Sequence, residues 1–168
     1  TRLTVERKLF SLISDLKKGD ALIVFSKKSV LALAAHLEGQ GVRCSVIYGS
    51  LPPATRREQV RRFLEKETEV VVSTDAIGMG LNLPIRRIVF VETQKFDGVS
   101  KRDLEPGEIK QIAGRAGRFG LYEEGFVAAV ENIELIEDGL GRLPIPLLKA
   151  YIGFPEQLLP LPADIDSL

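Results

Sequence analysis

The residues best suited to chemistry lie at 111–118, where the sequence reads Gln-Ile-Ala-Gly-Arg-Ala-Gly-Arg. In a helix, Arg115 and Arg118 would share one face, with Gln111 one turn before Arg115. Two guanidinium groups and an amide on one stripe are donors that suit a polyanion such as a nucleoside triphosphate. An Arg-x-x-Arg pair alone is most often a solvated helix end, but the longer pattern is far more specific.

A second stretch with chemical potential follows a predicted strand and reads Thr-Asp-Ala-Ile-Gly-Met-Gly-Leu-Asn at 74–82. The Thr74 hydroxyl could donate to a phosphate oxygen, and glycine-rich turns expose backbone amides to anions. Alone, this stretch fits a capped turn between a strand and a helix equally well. Together with 111–118, it favours an anion-binding site.

The rest of the chain predicts the elements that must position these residues. Short apolar runs predict strands at 21–25, 42–48, 69–73, 87–92 and 125–130. Apolar periodicity and end signals predict helices at 4–18, 27–38, 54–66 and from Glu105 through Arg118. Alternating strands and helices with short joins are typical of a parallel α/β sheet, which binds ligands at the carboxyl ends of its strands.

Two regions depart from that alternation. The polar stretch 93–104 contains Asp97-Gly98, a hairpin-type turn signal. Past Glu131 the pattern weakens and predicts only a short helix near 145–151, within a Pro-rich tail.

Composition narrows the function classes. The formal net charge is zero, but residues 1–118 hold 21 basic and 14 acidic residues, so a polyanion partner is expected on that part. A single cysteine excludes an internal disulfide and fits a reducing compartment. One histidine and one cysteine do not supply a conventional zinc site, and we expect no metal ligands here. No signal-peptide pattern or apolar run near 18 residues is present, so we expect no membrane partner.

Four stretches resemble, in order, motifs IV, IVa, V and VI of superfamily 2 helicases: 25–27, 48–51, 74–82 and 111–118. Their sequences are most similar to those of the Suv3 family of ATP-dependent RNA helicases, in the Ski2-like/DExH neighbourhood. The resemblance covers roughly residues 20–130. It implies a RecA-like fold, the second of two such domains. We expect this domain at 1–135, and at 136–168 a Pro-rich extension or linker towards a helical domain.

The resemblance also implies roles for residues at an ATP site between two RecA-like domains. Gln111, Arg115 and Arg118 would be catalytic and bind ATP, the arginines acting as fingers on its phosphates. Gly80 and Asn82 would lie near the nucleotide or the domain interface.

The same family pattern implies contacts to a single strand, with RNA favoured over DNA as the substrate. The residues that would contact the strand backbone are Ser26, Lys27, Gly49, Ser50 and Thr74. Backbone contacts position a strand without reading its sequence, so low sequence specificity is expected.

The chain lacks two motifs that an ATP-driven motor needs. It has neither a Gly-x-x-x-x-Gly-Lys-Ser/Thr phosphate loop nor a DExH or DEAD box. The resemblance places both in the first RecA-like domain of the same polypeptide, which would hold most of the Mg²⁺ coordination. The isolated chain is therefore predicted to be inactive, although it would be part of an NTP hydrolase. The resemblance implies a bacterial cytoplasm or, for a eukaryotic Suv3-like protein, the mitochondrial matrix.

Two alternatives remain open at this point. A DNA translocase would carry the same motifs, and a non-catalytic RecA-like scaffold could bind nucleic acid without turnover. The intact arginine pair argues against a scaffold, which needs no γ-phosphate sensor. The sequence upstream of Thr1 would discriminate, because a phosphate loop there indicates a helicase.

Overall fold

A computed structural model describes residues 2–78, 82–117 and 124–141. The strands are β1 (Arg2–Val5), β2 (Asp20–Ile23), β3 (Cys44–Ile47), β4 (Val70–Ser73), β5 (Arg87–Phe90), β6 (Gln94–Phe96), β7 (Lys101–Asp103) and β8 (Glu124–Ala129). The helices are α1 (Lys27–Gly39), α2 (Pro53–Leu64), α3 (Pro106–Ala113) and α4 (Ile133–Gly141), with a 3-10 turn at Asp75–Gly78. None of these helices is long and apolar enough to cross a membrane.

Six strands form one sheet in the order β1-β8-β5-β2-β4-β3, and every neighbouring pair is parallel. Three of its four interior strands, β2, β4 and β5, are buried along their whole length, as their apolar runs predict. Strands β6 and β7 form a separate antiparallel hairpin around Asp97-Gly98. The predicted parallel α/β sheet and the hairpin turn are both confirmed.

Helices cover both faces of the sheet. On one face α1 buries Val30, Ala34 and Leu37 against the sheet. On the other face α2 contributes Phe63, and α3 and α4 contribute Ile109 and Ile136 to a second apolar cluster. The carboxyl edge of the sheet is therefore held between two packed layers, and the loops that leave it start from fixed positions.

The helix predicted at 4–18 is wrong. Residues 2–5 form edge strand β1, which pairs with β8, and the stretch that follows is an irregular cover over the α1 face. The Phe10 amide donates to the carbonyl of Ala129 at 2.8 Å, and the Phe10 ring is buried. Ile13, which the helical pattern would bury, is 92% exposed. The apolar spacing reflects packing of separate residues onto the sheet, which overrides a helical period.

A buried ion pair anchors this cover. Arg87 donates from Nε and Nη2 to the carboxylate of Asp20 at 2.8 and 2.7 Å, and from Nη1 to Glu6 at 3.0 Å. Its Nη2 also donates to the carbonyl of Asp15 at 2.8 Å. Because Arg87 and Asp20 are both buried, breaking the pair would leave an uncompensated charge in the core.

Helix α4 lies where the sequence pattern predicts no helix. Gly139 and Gly141 lower its intrinsic propensity, but Ile133 and Ile136 are buried, and a Cβ at Gly139 would meet the side chain of Ile109. Tertiary packing against α3 therefore stabilises the helix. The expected boundary at 135/136 falls inside α4 and remains a prediction, and the helix predicted near 145–151 lies outside the described residues.

Candidate functional site

Three of the expected strand-contacting residues follow neighbouring strands at the carboxyl edge of the sheet. Ser26 lies beyond β2, Thr74 follows β4 and Gly49 lies beyond β3. The order β2-β4-β3 makes these strands adjacent, so their loops share one edge. This is where an open parallel sheet binds ligands.

The loop after β2 is fixed by a cap and by a carboxylate. Ser26 is the N-cap of α1, and its Oγ accepts from the amide of Ser29 at 3.0 Å. The Glu92 carboxylate accepts from the Phe25 amide at 2.8 Å and from the Ser29 hydroxyl at 3.3 Å. Sequence reasoning missed Glu92, whose position at the end of a predicted strand was the only available signal.

The loop after β3 is braced from α2 and touched from α1. Arg56 donates from Nη2 to the carbonyls of Tyr48 and Gly49 at 3.2 and 3.3 Å. The ammonium of Lys27 lies 5.3 Å from the Tyr48 ring centroid, within cation–π range. Lys27, Gly49 and Ser50 are all exposed. The two loops therefore present one open surface with a cation in it.

Two other arginines of α2, Arg61 and Arg62, are paired with acidic residues. Arg61 bonds to three carboxylates, those of Glu58, Glu65 and Glu67, at 2.7 to 2.9 Å. These exposed ion pairs neutralise the Arg61 guanidinium at the protein surface. Arg56 acts as the brace described above, and Arg57 is exposed on the surface of α2.

Thr74 shapes the turn after β4. Its side chain is largely buried, with 8% relative exposure, and its Oγ1 accepts from the amide of Ala76 at 3.1 Å. The Thr74 carbonyl accepts from the Ile77 amide at 3.2 Å, which closes the 3-10 turn. The hydroxyl of Thr74 keeps its own proton for donation, although access to it is narrow.

The turn after β4 meets the end of α3 at Gly78. Arg115 donates from Nη2 to the carbonyl oxygen of Gly78. A Cβ placed on Gly78 would lie 3.4 Å from Cγ of Gln111, so the glutamine side chain packs directly over this backbone. The structure thus brings Gln111 and Arg115 together, as expected, with Gly78 as their common contact.

The predicted single helical stripe is wrong for Arg115. Helix α3 ends at Ala113, and Arg115 lies in the turn that follows. Gly117 adopts a φ of 73°, and its amide donates to the carbonyl of Ile85 at 2.7 Å. The helix ends at its C-cap Gly114, and the left-handed Gly117, three residues later, turns the backbone alongside Ile85. Gly114 was the sequence signal for the helix end and Gly117 for the turn that follows.

Only some of the other residues expected to contact the nucleotide lie in the described part of the chain. Arg118 and Gly80 lie outside the described residues. Asn82 is exposed at the start of the second described stretch, and Gln111 is exposed beside the half-buried Arg115. A guanidinium and amides are donors that fit anionic phosphate oxygens, so this set is compatible with a nucleotide. Within 2–78, 82–117 and 124–141, no group of three or more His, Cys, Asp or Glu residues could hold a metal ion.

Sequence reasoning also missed an ion cluster between the hairpin and α3. Glu108 accepts from both Nη atoms of Arg102 at 2.8 and 2.9 Å, and it lies 3.3 Å from Nζ of Lys95. The hydrogen bonds from Arg102, more than any other contact, lower the pKa of Glu108 from 4.5 to about 2. The carboxylate therefore stays charged and ties the hairpin to the first turn of α3.

Comparison with protein families matches residues 4–120 to the helicase conserved C-terminal domain. The chain is 46% identical over 151 residues to the mitochondrial DExH-box ATP-dependent RNA helicase DExH16 of Arabidopsis thaliana, covering 86% of this chain and 26% of that protein. It is 47% identical over 139 residues to the mitochondrial ATP-dependent RNA helicase SUV3 of Candida albicans, covering 80% and 19%. The chain thus spans about a quarter or less of these relatives.

Solved structures show a related fold at low sequence identity. The C-terminal domain of the DEAD-box protein Dbp5 superposes with a TM-score of 0.57 at 21% identity, covering 77% of this chain and 73% of that one. A Saccharomyces cerevisiae Dbp5 variant bound to RNA and ADP BeF3 gives a TM-score of 0.59 at 20% identity, covering 76% and 33%. The α/β architecture is that of these helicase domains.

Proposed function

Because the chain belongs to the family of helicase conserved C-terminal domains, we propose that it is the second motor domain of an ATP-dependent RNA helicase. In this proposal it supplies Gln111 and the arginines of 111–118 to an interdomain ATP site and grips a single RNA strand. RNA is favoured over DNA because the similar relatives are named RNA helicases.

The observation that carries the proposal is the shared contact at Gly78. Arg115 donates to its carbonyl and Gln111 packs over its backbone, which joins the turn after β4 to the end of α3. Arginine has five donors, so the remaining N–H groups of the guanidinium stay available for phosphate oxygens. A scaffold that only binds RNA would have no use for this arrangement.

Each residue at the ATP site has a distinct part. When bound, ATP supplies the phosphoryl group that is transferred to water. Arg115, fixed by Gly78, stabilises negative charge that grows during transfer, and Arg118 is proposed as the second finger. Gln111 would bind ATP through its side-chain amide. Gly80 and Asn82 would lie near the nucleotide or the domain interface. The first RecA-like domain of the polypeptide would provide the phosphate loop and most of the divalent-metal coordination.

The strand would lie across the loops after β2 and β3. Ser26, Lys27, Gly49 and Ser50 are exposed there, and the narrow access to Thr74 limits it to one hydroxyl contact. Closure of the two domains on ATP and their opening after hydrolysis would shift this grip along the strand. The mitochondrial naming of the relatives supports the mitochondrial matrix as its location.

The test compares this chain alone with a polypeptide that joins it to a phosphate-loop domain. We expect no ATP hydrolysis by the chain alone, and hydrolysis stimulated by single-stranded RNA in the joined protein. A DNA oligonucleotide of equal length separates an RNA helicase from a DNA translocase. Hydrolysis by the chain alone, or a joined protein that binds RNA without turnover, would contradict the proposal.

A further inference from the structure

Lys95 on the hairpin touches all three segments that carry the site. Its Nζ lies 2.9 Å from the Asp75 carboxylate and 3.3 Å from that of Glu108. The same ammonium lies 5.8 Å from the ring centroid of Phe25. Phe25 directly precedes the cap of α1, Asp75 opens the turn that ends at Gly78, and Glu108 lies in the first turn of α3.

The two carboxylates are placed to transmit a movement. Asp75 is three residues before Gly78, whose carbonyl accepts from Arg115. Glu108 is three residues before Gln111 on α3, so the two lie on one side of that helix. A shift of the Lys95 ammonium would therefore move both elements that meet at Gly78.

Removing the ammonium would also create repulsion. Both carboxylates lie within 3.3 Å of one nitrogen, so they are close to each other. Arg102 neutralises Glu108 in part, but the structure shows no other cation on Asp75 among the described residues. The hydrogen bond to Asp75 raises the pKa of Lys95, so the ammonium stays charged.

We propose that Lys95 is a positioning residue that couples the strand grip at Phe25-Ser26 to the ATP site at Gly78, Gln111 and Arg115. The inference rests on the proposed function, because coupling needs both a bound strand and an ATP site. Lys95 contacts neither ligand. It holds the turn after β4 and the start of α3 in one arrangement. When the loop after β2 moves, Lys95 transmits that movement to the turn and to α3.

The test uses the complete helicase and a single-stranded homopolymeric RNA. Amide hydrogen exchange is measured without nucleotide, at 25–29 and at 75–78, where the Ala76 and Ile77 amides close the turn. Steady-state ATP hydrolysis with and without RNA is measured in parallel. The variants are Lys95→Met, Lys95→Arg and Asp75→Asn, with Lys101→Met as a matched control because Lys101 is an exposed lysine of the same hairpin.

In the wild type, RNA should slow exchange at both 25–29 and 75–78. In Lys95→Met the protection at 25–29 should persist while that at 75–78 is lost. RNA stimulation of kcat should be lost with it, so that kcat with RNA approaches the RNA-free value. Lys95→Arg should recover most of both, since it keeps the charge, and Lys101→Met should match the wild type.

Each result separates this inference from the proposed function. If RNA protects 75–78 in Lys95→Met as it does in the wild type, the coupling role is wrong while the proposed function stands. If the wild type shows neither RNA protection at 25–29 nor RNA-stimulated turnover, both fail. If Lys95→Met does not fold, Asp75→Asn decides, because it removes the same ion pair at an exposed residue. Normal coupling in folded Asp75→Asn would overturn the inference.

Discussion

Arg115 donates to the carbonyl oxygen of Gly78, a residue 37 positions earlier in the chain. Gly78 ends the turn after β4, and Arg115 follows the last residue of α3 by two positions. The contact therefore joins two glycine-rich stretches that are remote in sequence. It fixes the guanidinium through one of its five N–H groups.

The first prediction concerns Gly125, which sets the place of the Arg115 segment. A Cβ on Gly125 would lie 2.6 Å from the carbonyl oxygen of Ala116, too close without moving the backbone. We expect Gly125→Ala to destabilise the protein by about 1–3 kcal/mol, the usual cost of overpacking. Thermal melting measures the loss.

Gly107→Ala is the matched control for that change. Gly107 lies in α3, and a Cβ there would meet nothing within 4 Å. We expect it to raise stability by up to about 1 kcal/mol, because alanine favours a helix. Equal melting temperatures for the Gly125 and Gly107 variants would show that the close approach of Gly125 to Ala116 is wrong.

The second prediction follows from Glu108. Its pKa is about 2 in the folded protein and near 4.5 when unfolded, so the folded state favours the ionised form. The resulting stability is present above about pH 4.5 and is lost as pH falls towards about 2. The melting temperature of Glu108→Gln should therefore lie below that of the wild type at neutral pH and approach it in acid.

Arg102→Met provides the check on this mechanism. Arg102 is the main partner of Glu108, so its loss should produce the same pH profile of melting temperature. A gap between wild type and Glu108→Gln that stays constant down to pH 2 would contradict the assigned ion pair.

Much of the fold could be predicted because the interior strands are continuous apolar runs. Val70 to Val72, for example, are buried on both sides, and a run of this kind has few other structures available. The helix prediction at 4–18 failed because an edge strand followed by an irregular segment packed on the sheet can share the apolar spacing of a helix. Ile13 and Phe10 differ completely in burial although both fit that spacing.

The sequence pattern paired Gln111 with Arg115 but did not predict the geometry that joins them. Gln111 and Arg115 do meet, yet the helix that was expected to carry both ends at Ala113. The path beyond depends on a bond from Gly117 to Ile85, a contact between remote residues that no local pattern encodes. The contacts of Lys95 could not be predicted for the same reason, because its carboxylate partners lie on two other elements.

The third prediction tests the strand grip through Lys27. In the full-length protein, Lys27→Ala should weaken RNA binding about uniformly across sequences and reduce the salt slope of log Kd by about one unit, the share of one phosphate contact. Lys18→Ala is the control, because Lys18 precedes β2 and lies at the opposite edge of the sheet. An equal loss of affinity in both variants would place the strand elsewhere.

The central claim is that Arg115 acts on the ATP phosphates. It is tested most directly by steady-state ATP hydrolysis by the folded full-length protein carrying Arg115→Ala. We expect RNA binding to persist and kcat to fall by about 10³–10⁵, the contribution of an arginine finger. Arg115→Lys should recover little, because an ammonium lacks the guanidinium fork. Arg57→Ala, an exposed arginine of α2, should leave kcat unchanged. A kcat near that of the wild type in folded Arg115→Ala would contradict the account.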